Sequence, residues 1–151
     1  MTYRIAPVDG ADAEPVRELM ARVIRERVTQ EPDLLAATLD NVNRNCGYAI
    51  EHPGECVHLK ATLDGELVGV ILIKHHWNLC SLFVAPAHHG RGIGRSLVEA
   101  GARLCDGRSP RKALLLNAAR DAIAFYERLG FVPRESAQEL PPGYLAMQRP
   151  L

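Results

Sequence analysis

Apolar residues recur along this chain with two periods, and the switches between them divide it into elements. Thr2 to Val8 reads as a short strand ended by Pro7 and the turn Asp9-Gly10. Val16, Leu19, Met20, Val23, Ile24 and Val28 then fall at helical spacing, with Asp12 as a candidate cap and Pro15 tolerated in the first turn. Leu34, Leu35, Leu39 and Val42 predict a second, weaker helix after Pro32, ended by Gly47, and Tyr48 to Gly54 reads as a loop. Cys56 to Leu63 and Glu66 to Lys74 are two strands joined by Asp64-Gly65, the strongest short hairpin signal available. His75 to Asn78 turns the chain into a fourth strand, Asn78 to Ala85, which Pro86 stops.

The second half begins with Leu97, Val98, Gly101 and Leu104, again at helical spacing. Ala113 to Asn117 is a short apolar strand of the kind buried on both faces. Arg120 to Leu129 predicts a helix with Ala122, Phe125, Tyr126 and Leu129 on one face, closed by Gly130. Phe131 to Ser136 and Tyr144 to Gln148 are two last strands on either side of Pro141-Pro142-Gly143. The order is strand, two helices, three antiparallel strands, helix, strand, helix, two strands, an α+β arrangement. No repeat or linker divides residues 1–151, so one domain is expected.

Between the fourth strand and its helix stands a loop with glycine at alternate positions, Gly90, Gly92 and Gly94. Such a loop lets consecutive backbone N–H groups approach an anion, and the first helical turn adds unpaired N–H groups and the positive end of its dipole. Arg91 and Arg95 add cations, so a diphosphate suits the place. No Gly-Lys-Ser/Thr ends the loop, and the spacing is not that of the dinucleotide fingerprint.

Val84-Ala-Pro-Ala-His-His-Gly-Arg-Gly-Ile-Gly-Arg95 resembles the coenzyme A loop of the GCN5-related N-acetyltransferase superfamily: β-branched residue, x, Pro, then Gln/Arg-x-x-Gly-x-Gly. Gly92 and Gly94 match, and His89 stands where Gln or Arg is usual. A second block, Asn117 to Phe131, is similar to the family's Ala-x-x-Phe/Leu-Tyr-x-x-x-Gly-Phe segment at Ala122, Phe125, Tyr126, Gly130 and Phe131. The resemblance covers essentially the whole chain. It implies α/β/α layers around a mixed, mostly antiparallel seven-stranded sheet whose fourth and fifth strands splay apart. It also implies acetyl-CoA as cofactor, with its pantetheine arm lying in the gap like an extra strand. The residues it assigns to the cofactor are Leu82, Phe83 and Val84 on the strand, His89, Gly90, Arg91, Gly92, Ile93, Gly94 and Arg95 at the loop, and Asn117 and Tyr126 at the gap.

The activity so implied is transfer of an acetyl group to a primary amine by direct attack in a ternary complex. That chemistry needs a base for the amine, a donor for the oxyanion and an acid for the departing thiolate. Tyr126 takes the family's Tyr position as the acid; its place in an apolar stripe with Ala122, Phe125 and Leu129 gives core as the alternative reading. The oxyanion donor would be a main-chain N–H near Leu82. For the base, the same-face positions Asn78, Cys80 and Leu82 offer none, so the proton is expected to leave through water to His76 or His75, residues that also read as an exposed turn. The family's Asn three residues before the Ala of the second block is Ala119 here; Asn117 either supplies that contact or caps its strand. A coenzyme A-binding sensor or interaction module without chemistry is the alternative.

Composition adds exclusions. Eighteen basic against 18 acidic residues give no net charge and no support for a nucleic-acid surface, and no apolar run is long enough to span a membrane. The opening Met-Thr-Tyr-Arg-Ile-Ala-Pro lacks the pattern of a signal peptide, and Cys46, Cys56, Cys80 and Cys105 are widely spaced, which together predict reduced thiols and the cytoplasm. The adjacent pairs His88-His89 and His75-His76 have no Cys or acidic residue at ligand spacing, so no metal is expected. The acceptor, a small-molecule or peptide amine, is not specified; the resemblance suggests a homodimer.

Overall fold

The computed structural model of the protein describes residues 2–151. Its strands are β1 (Tyr3–Pro7), β2 (Cys56–Leu63), β3 (Glu66–Lys74), β4 (Asn78–Val84), β5 (Ala113–Ala118), β6 (Val132–Pro133) and β7 (Leu145–Pro150), and its helices α1 (Ala13–Arg27), α2 (Pro32–Glu51), α3 (Ile93–Cys105) and α4 (Ile123–Arg128). The strands form a seven-stranded sheet in the order β1-β2-β3-β4-β5-β7-β6. Every neighbouring pair is antiparallel except β4 and β5. This is the expected α+β topology.

Helices α3 and α4 cover one face, packing Leu97, Val98, Ala102, Tyr126 and Leu129 against Leu59, Ile71, Ile73, Leu114, Leu116 and Met147. Helices α1 and α2 cover the N-terminal half of the other, where Val16, Met20, Ile24, Val42 and Cys46 meet Val70 and Phe83. Leu97 and Val98 have no exposed surface, and full burial of such side chains contributes about 1.5–3 kcal/mol each.

The β2–β3 hairpin falls where the sequence puts it, with Asp64 and Gly65 at φ 52° and 82°, both left-handed as a two-residue turn requires. Helix α1 differs at its start. A single turn of 3-10 helix, Gly10–Asp12, precedes it, and Asp9 makes the cap, accepting from the Ala11 N–H at 2.9 Å. Asp12 instead takes the Lys60 ammonium of β2, 2.8 Å from each carboxylate oxygen. Helix α2 runs through Gly47 and four residues beyond. Val42, Cys46 and Ala49 keep its buried stripe on the sheet, and Gly47 faces α1, where a Cβ would lie 3.7 Å from Arg17 Nη2. The helix ends at His52, before Pro53, because a residue preceding proline is held out of the helical region. Strand β6 is only Val132–Pro133, both exposed at the sheet edge.

Candidate functional site

Parallel strands β4 and β5 pair at one register position among the described residues, Asn78 with Leu115. The Leu115 N–H also reaches back to the Trp77 carbonyl at 2.8 Å, and beyond this point the strands part. At the far end of β4 the Ala85 N–H bonds the Val68 carbonyl of β3 at 2.8 Å. Backbone groups alternate along a strand, so those of Leu82 and Val84 turn from β3 into the gap. The gap is an open strand edge walled by β5.

Past Pro86 the chain makes a 3-10 turn to His88 and enters the glycine loop. Gly90 and Gly92 stand at φ 78° and 80°, a conformation that side chains resist, and a Cβ on either would meet nothing within 4 Å. Gly92 caps α3 without any side-chain hydrogen bond, so the first-turn N–H groups of Ile93, Gly94 and Arg95 keep their donors for an anion. Arg91 and Arg95 are exposed beside them. His89 Nε2 donates to the Val84 carbonyl at 2.8 Å, tying the loop to the end of β4. Gly94 serves packing: its absent Cβ would lie 3.3 Å from Phe125 Cζ and 3.6 Å from Val84 Cγ2. Helix α4, the end of β4 and the start of α3 therefore converge at the cradle.

Tyr126 sits on the α3/α4 side of the gap, in the same cluster as Leu79, Leu82 and Val84. Its ring meets Phe125 and Phe131 edge-on at 5.1 and 5.4 Å. Burial alone pushes its phenol above the ordinary range, with no charged or hydrogen-bonding group contributing, so the hydroxyl keeps its proton. Asn117, at the diverging end of β5, is exposed, and its Oδ1 accepts from Arg134 Nη2 at 3.3 Å. Arg134 also donates to the Met147 and Glu135 carbonyls, strapping the segment after β6 across this end of the sheet.

His76 and His75 lie in the turn before β4, at the paired end of the gap, with left-handed φ of 65° and 56°. The His76 pKa is lowered by burial, then by Arg108 and by His75. The His75 and Tyr48 rings meet edge to face, their centroids 5.7 Å apart.

Strand β4 also carries a bulge that alternation cannot foresee. Leu72 pairs with Ser81 but Ile73 with Leu79, leaving Cys80 as the extra residue. Leu79, Leu82 and Val84 consequently face α3 and α4, whereas Cys80 joins Tyr48 under α2 and Phe83 joins the α1/α2 cluster. The sequence expectation that Asn78, Cys80 and Leu82 share a face fails at Leu82, because the bulge reverses the alternation. The Cys80 thiol donates to the Leu72 carbonyl at 3.7 Å, and burial pushes its pKa up to about 11. Ser81 is buried with its hydroxyl unpaired.

Sequence reasoning missed the side chains over this bulge. The Tyr48 hydroxyl donates to Glu55 Oε1 at 2.9 Å, and its ring stacks on His52 at 4.3 Å. The Lys74 ammonium lies 4.7 Å from the same ring. A continuation of the helical pattern through Gly47 would have found Tyr48. A groove of about 800 Å³ lies elsewhere, between α1, α2 and the start of β3, and no cradle residue lines it. Among the described residues there is no grouping of three or more metal-binding side chains.

Residues 36–140 match the family model described as an acetyltransferase (GNAT) domain. The mycothiol acetyltransferase of Nocardia farcinica is 36% identical over 96 residues, 61% of this chain and 28% of that protein. That of Streptomyces coelicolor is 36% identical over 83 residues, 50% of this chain and 27% of its own length. The chain thus spans little more than a quarter of these relatives. Among solved structures, the PaiA N-acetyltransferase of Thermoplasma acidophilum, in complex with coenzyme A, superposes with a TM-score of 0.79 at 16% identity over all of both chains. The ribosomal-protein-S18-alanine N-acetyltransferase of Escherichia coli does so at 0.70 and 18%, covering 99% of this chain and 94% of that one.

Proposed function

Because the chain belongs to the GNAT acetyltransferase family, we propose that it binds acetyl-CoA between β4 and β5 and transfers the acetyl group to a primary amine. One observation carries the reading. The parallel strands part beyond Asn78 and Leu115, and an open glycine loop with an uncapped helix start stands at the end of β4. The loop and helix N-terminus fit a diphosphate, and the free edge of β4 fits an extended amide-bearing arm.

In this reading Gly90, Gly92 and the N–H groups of Ile93, Gly94 and Arg95 hold the diphosphate, and Arg91 and Arg95 neutralise it. Leu82 and Val84 present main-chain groups to the arm. His89 already occupies the Val84 carbonyl, which leaves that residue's N–H and the Leu82 pair for the arm. Asn117, drawn toward Arg134, lies at the rim.

The bound thioester supplies an activated acetyl carbonyl. A C–N bond forms as the C–S bond breaks, the amine gives up one proton and the sulfur takes one. A β4 main-chain N–H near Leu82 serves the developing oxyanion. Tyr126, protonated across the physiological range, donates its phenolic proton toward the sulfur. His76, kept neutral at pH 7 by its lowered pKa, receives the amine proton through water. We read residues 1–151 as one domain, and the four cysteines, all free thiols, with Cys46 and Cys105 in separate buried clusters and Cys56 and Cys80 together in a third, favour a reducing compartment.

The test is amine-dependent thiol release from acetyl-CoA across a panel of primary amines, with the acetylated product identified by mass. Strand β4 carries no carboxylate or imidazole, which favours a non-catalytic coenzyme A-binding module as the second reading. Acetyl-CoA binding with no amine-dependent release would select it.

A further inference from the structure

On the face of the sheet beneath α2, one row of residues crosses the closed end of the gap: Cys56 pairs with Lys74, Lys74 with Asn78, Asn78 with Leu115, and Leu115 with Gln148. Lys74 is the cation in this row. It is partly buried, and its hydrogen bond is to the Asn45 amide oxygen at 3.3 Å, with the Tyr48 ring 4.7 Å away. Neither partner carries charge.

Other partly buried cations on the sheet are treated differently. Lys60, on β2, is met by both oxygens of Asp12 at 2.8 Å. Arg149, on the opposite face, is met by both oxygens of Glu99 at 2.8 and 3.1 Å. The third ion pair among the described residues joins exposed Arg44 and Asp40, so Lys74 belongs to none. Glu55, a carboxylate close by, is spent on the Tyr48 hydroxyl. A partly desolvated ammonium without a counter-charge is costly unless a ligand supplies the charge.

Its position says which ligand. Directly paired strand residues stand about 5 Å apart, so Lys74 lies one strand's spacing from Asn78, where the gap opens. The acceptor nitrogen must reach that gap. A group held by Lys74 is therefore within a few bonds of the reacting amine.

Resting on the acetyltransferase reading above, we propose that the acceptor is an amino acid, whose carboxylate pairs with Lys74 while its amine enters the gap beside Asn78. Asn45 and the Tyr48 ring hold the ammonium in place, and the Tyr48–Glu55 bond holds the ring.

The test loads the full-length protein with coenzyme A and measures the further thermal shift from N-acetyl amino acids with small, aromatic, acidic and basic side chains. The matching N-acetylated amines, lacking the carboxylate, are measured in parallel. Stabilisation by at least one N-acetyl amino acid beyond coenzyme A alone is expected, with none from its decarboxylated partner. Lys74→Met should abolish that increment and Lys74→Arg should recover part of it; an undiminished coenzyme A shift in both variants shows that they fold. In turnover, a preference of at least tenfold in kcat/KM for the amino acid over its decarboxylated amine should fall toward parity in Lys74→Met. Equal shifts from carboxylated and decarboxylated compounds, no shift from any N-acetyl amino acid, or an increment that survives Lys74→Met overturns the proposal. Absence of any coenzyme A shift overturns the acetyltransferase reading instead, and this proposal with it.

Discussion

Asn78 of β4 and Leu115 of β5 face each other at the register position where these parallel strands pair, and the sheet parts beyond them. This relationship places a free strand edge directly before the helix whose start is uncapped. Hydrogen-bonding groups left over by the fold at both places, along β4 and at the first turn of α3, point toward the same opening.

Gly92 tests the cradle. At φ 80° an alanine costs about 1 kcal/mol of backbone strain, and its methyl would enter the space that an anion needs. Gly92→Ala should raise the acetyl-CoA Kd at least tenfold by calorimetry with a small loss of melting temperature. Gly101 gives the opposite pattern. Its Cβ would lie 2.7 Å from Ile73 Cδ1 inside the core, so Gly101→Ala should cost about 1 kcal/mol net, overpacking offset in part by helix propensity, with Kd unchanged.

Tyr126→Phe separates acid from packing. The phenol draws no resolved hydrogen bond in the fold, so its removal should leave the melting temperature within about a degree and the acetyl-CoA Kd within about twofold. The value of kcat should fall about a hundredfold, the usual scale for a lost general acid. Full turnover in this variant would assign the residue to the core alone.

His58 on β2 is buried, its Nδ1 unpaired and its pKa lowered to about 4 by burial, against a smaller opposing pull from Asp12. The unfolded chain protonates it near pH 6.5, so between there and pH 4 the unfolded state binds the extra proton and stability falls on acidification. The loss approaches about 3 kcal/mol at the lower end. Denaturant melts from pH 8 to pH 4 should show this slope, and His58→Gln should flatten it.

How much of this was legible in the sequence depends on range. Local chemistry was: Asp64-Gly65 dictated its hairpin, the Gly90 to Gly94 spacing its loop, and the stripe from Val16 to Ile24 its helix. Gly47 was misleading, because helix packing against α1 overrides a single glycine's weak preference. The Cys80 bulge left no mark in the sequence, since an extra residue in one strand shows only against its partner's register. The side-chain directions of β4 on the two sides of it depend on that register, so the helical pattern through Gly47 could have found Tyr48 but not its meeting with Cys80.

The cysteines give a chemical check. Burial pushes the thiols of Cys80 and Cys105 up to about 11, and those of Cys46 and Cys56 upward as well. At pH 7.5 the thiolate is scarce, so iodoacetamide should leave all four unmodified in the native protein and label all four in denaturant, read by mass spectrometry.

The central claim is that the opening between β4 and β5, with its glycine loop, takes acetyl-CoA. A thermal-shift titration with acetyl-CoA, coenzyme A, ATP and NAD tests it most directly. Ligand at about 100 Kd stabilises the folded state by about 2.7 kcal/mol, a shift readily seen. Acetyl-CoA and coenzyme A should each raise the melting temperature while ATP and NAD do not; no response to either coenzyme A form would contradict the account.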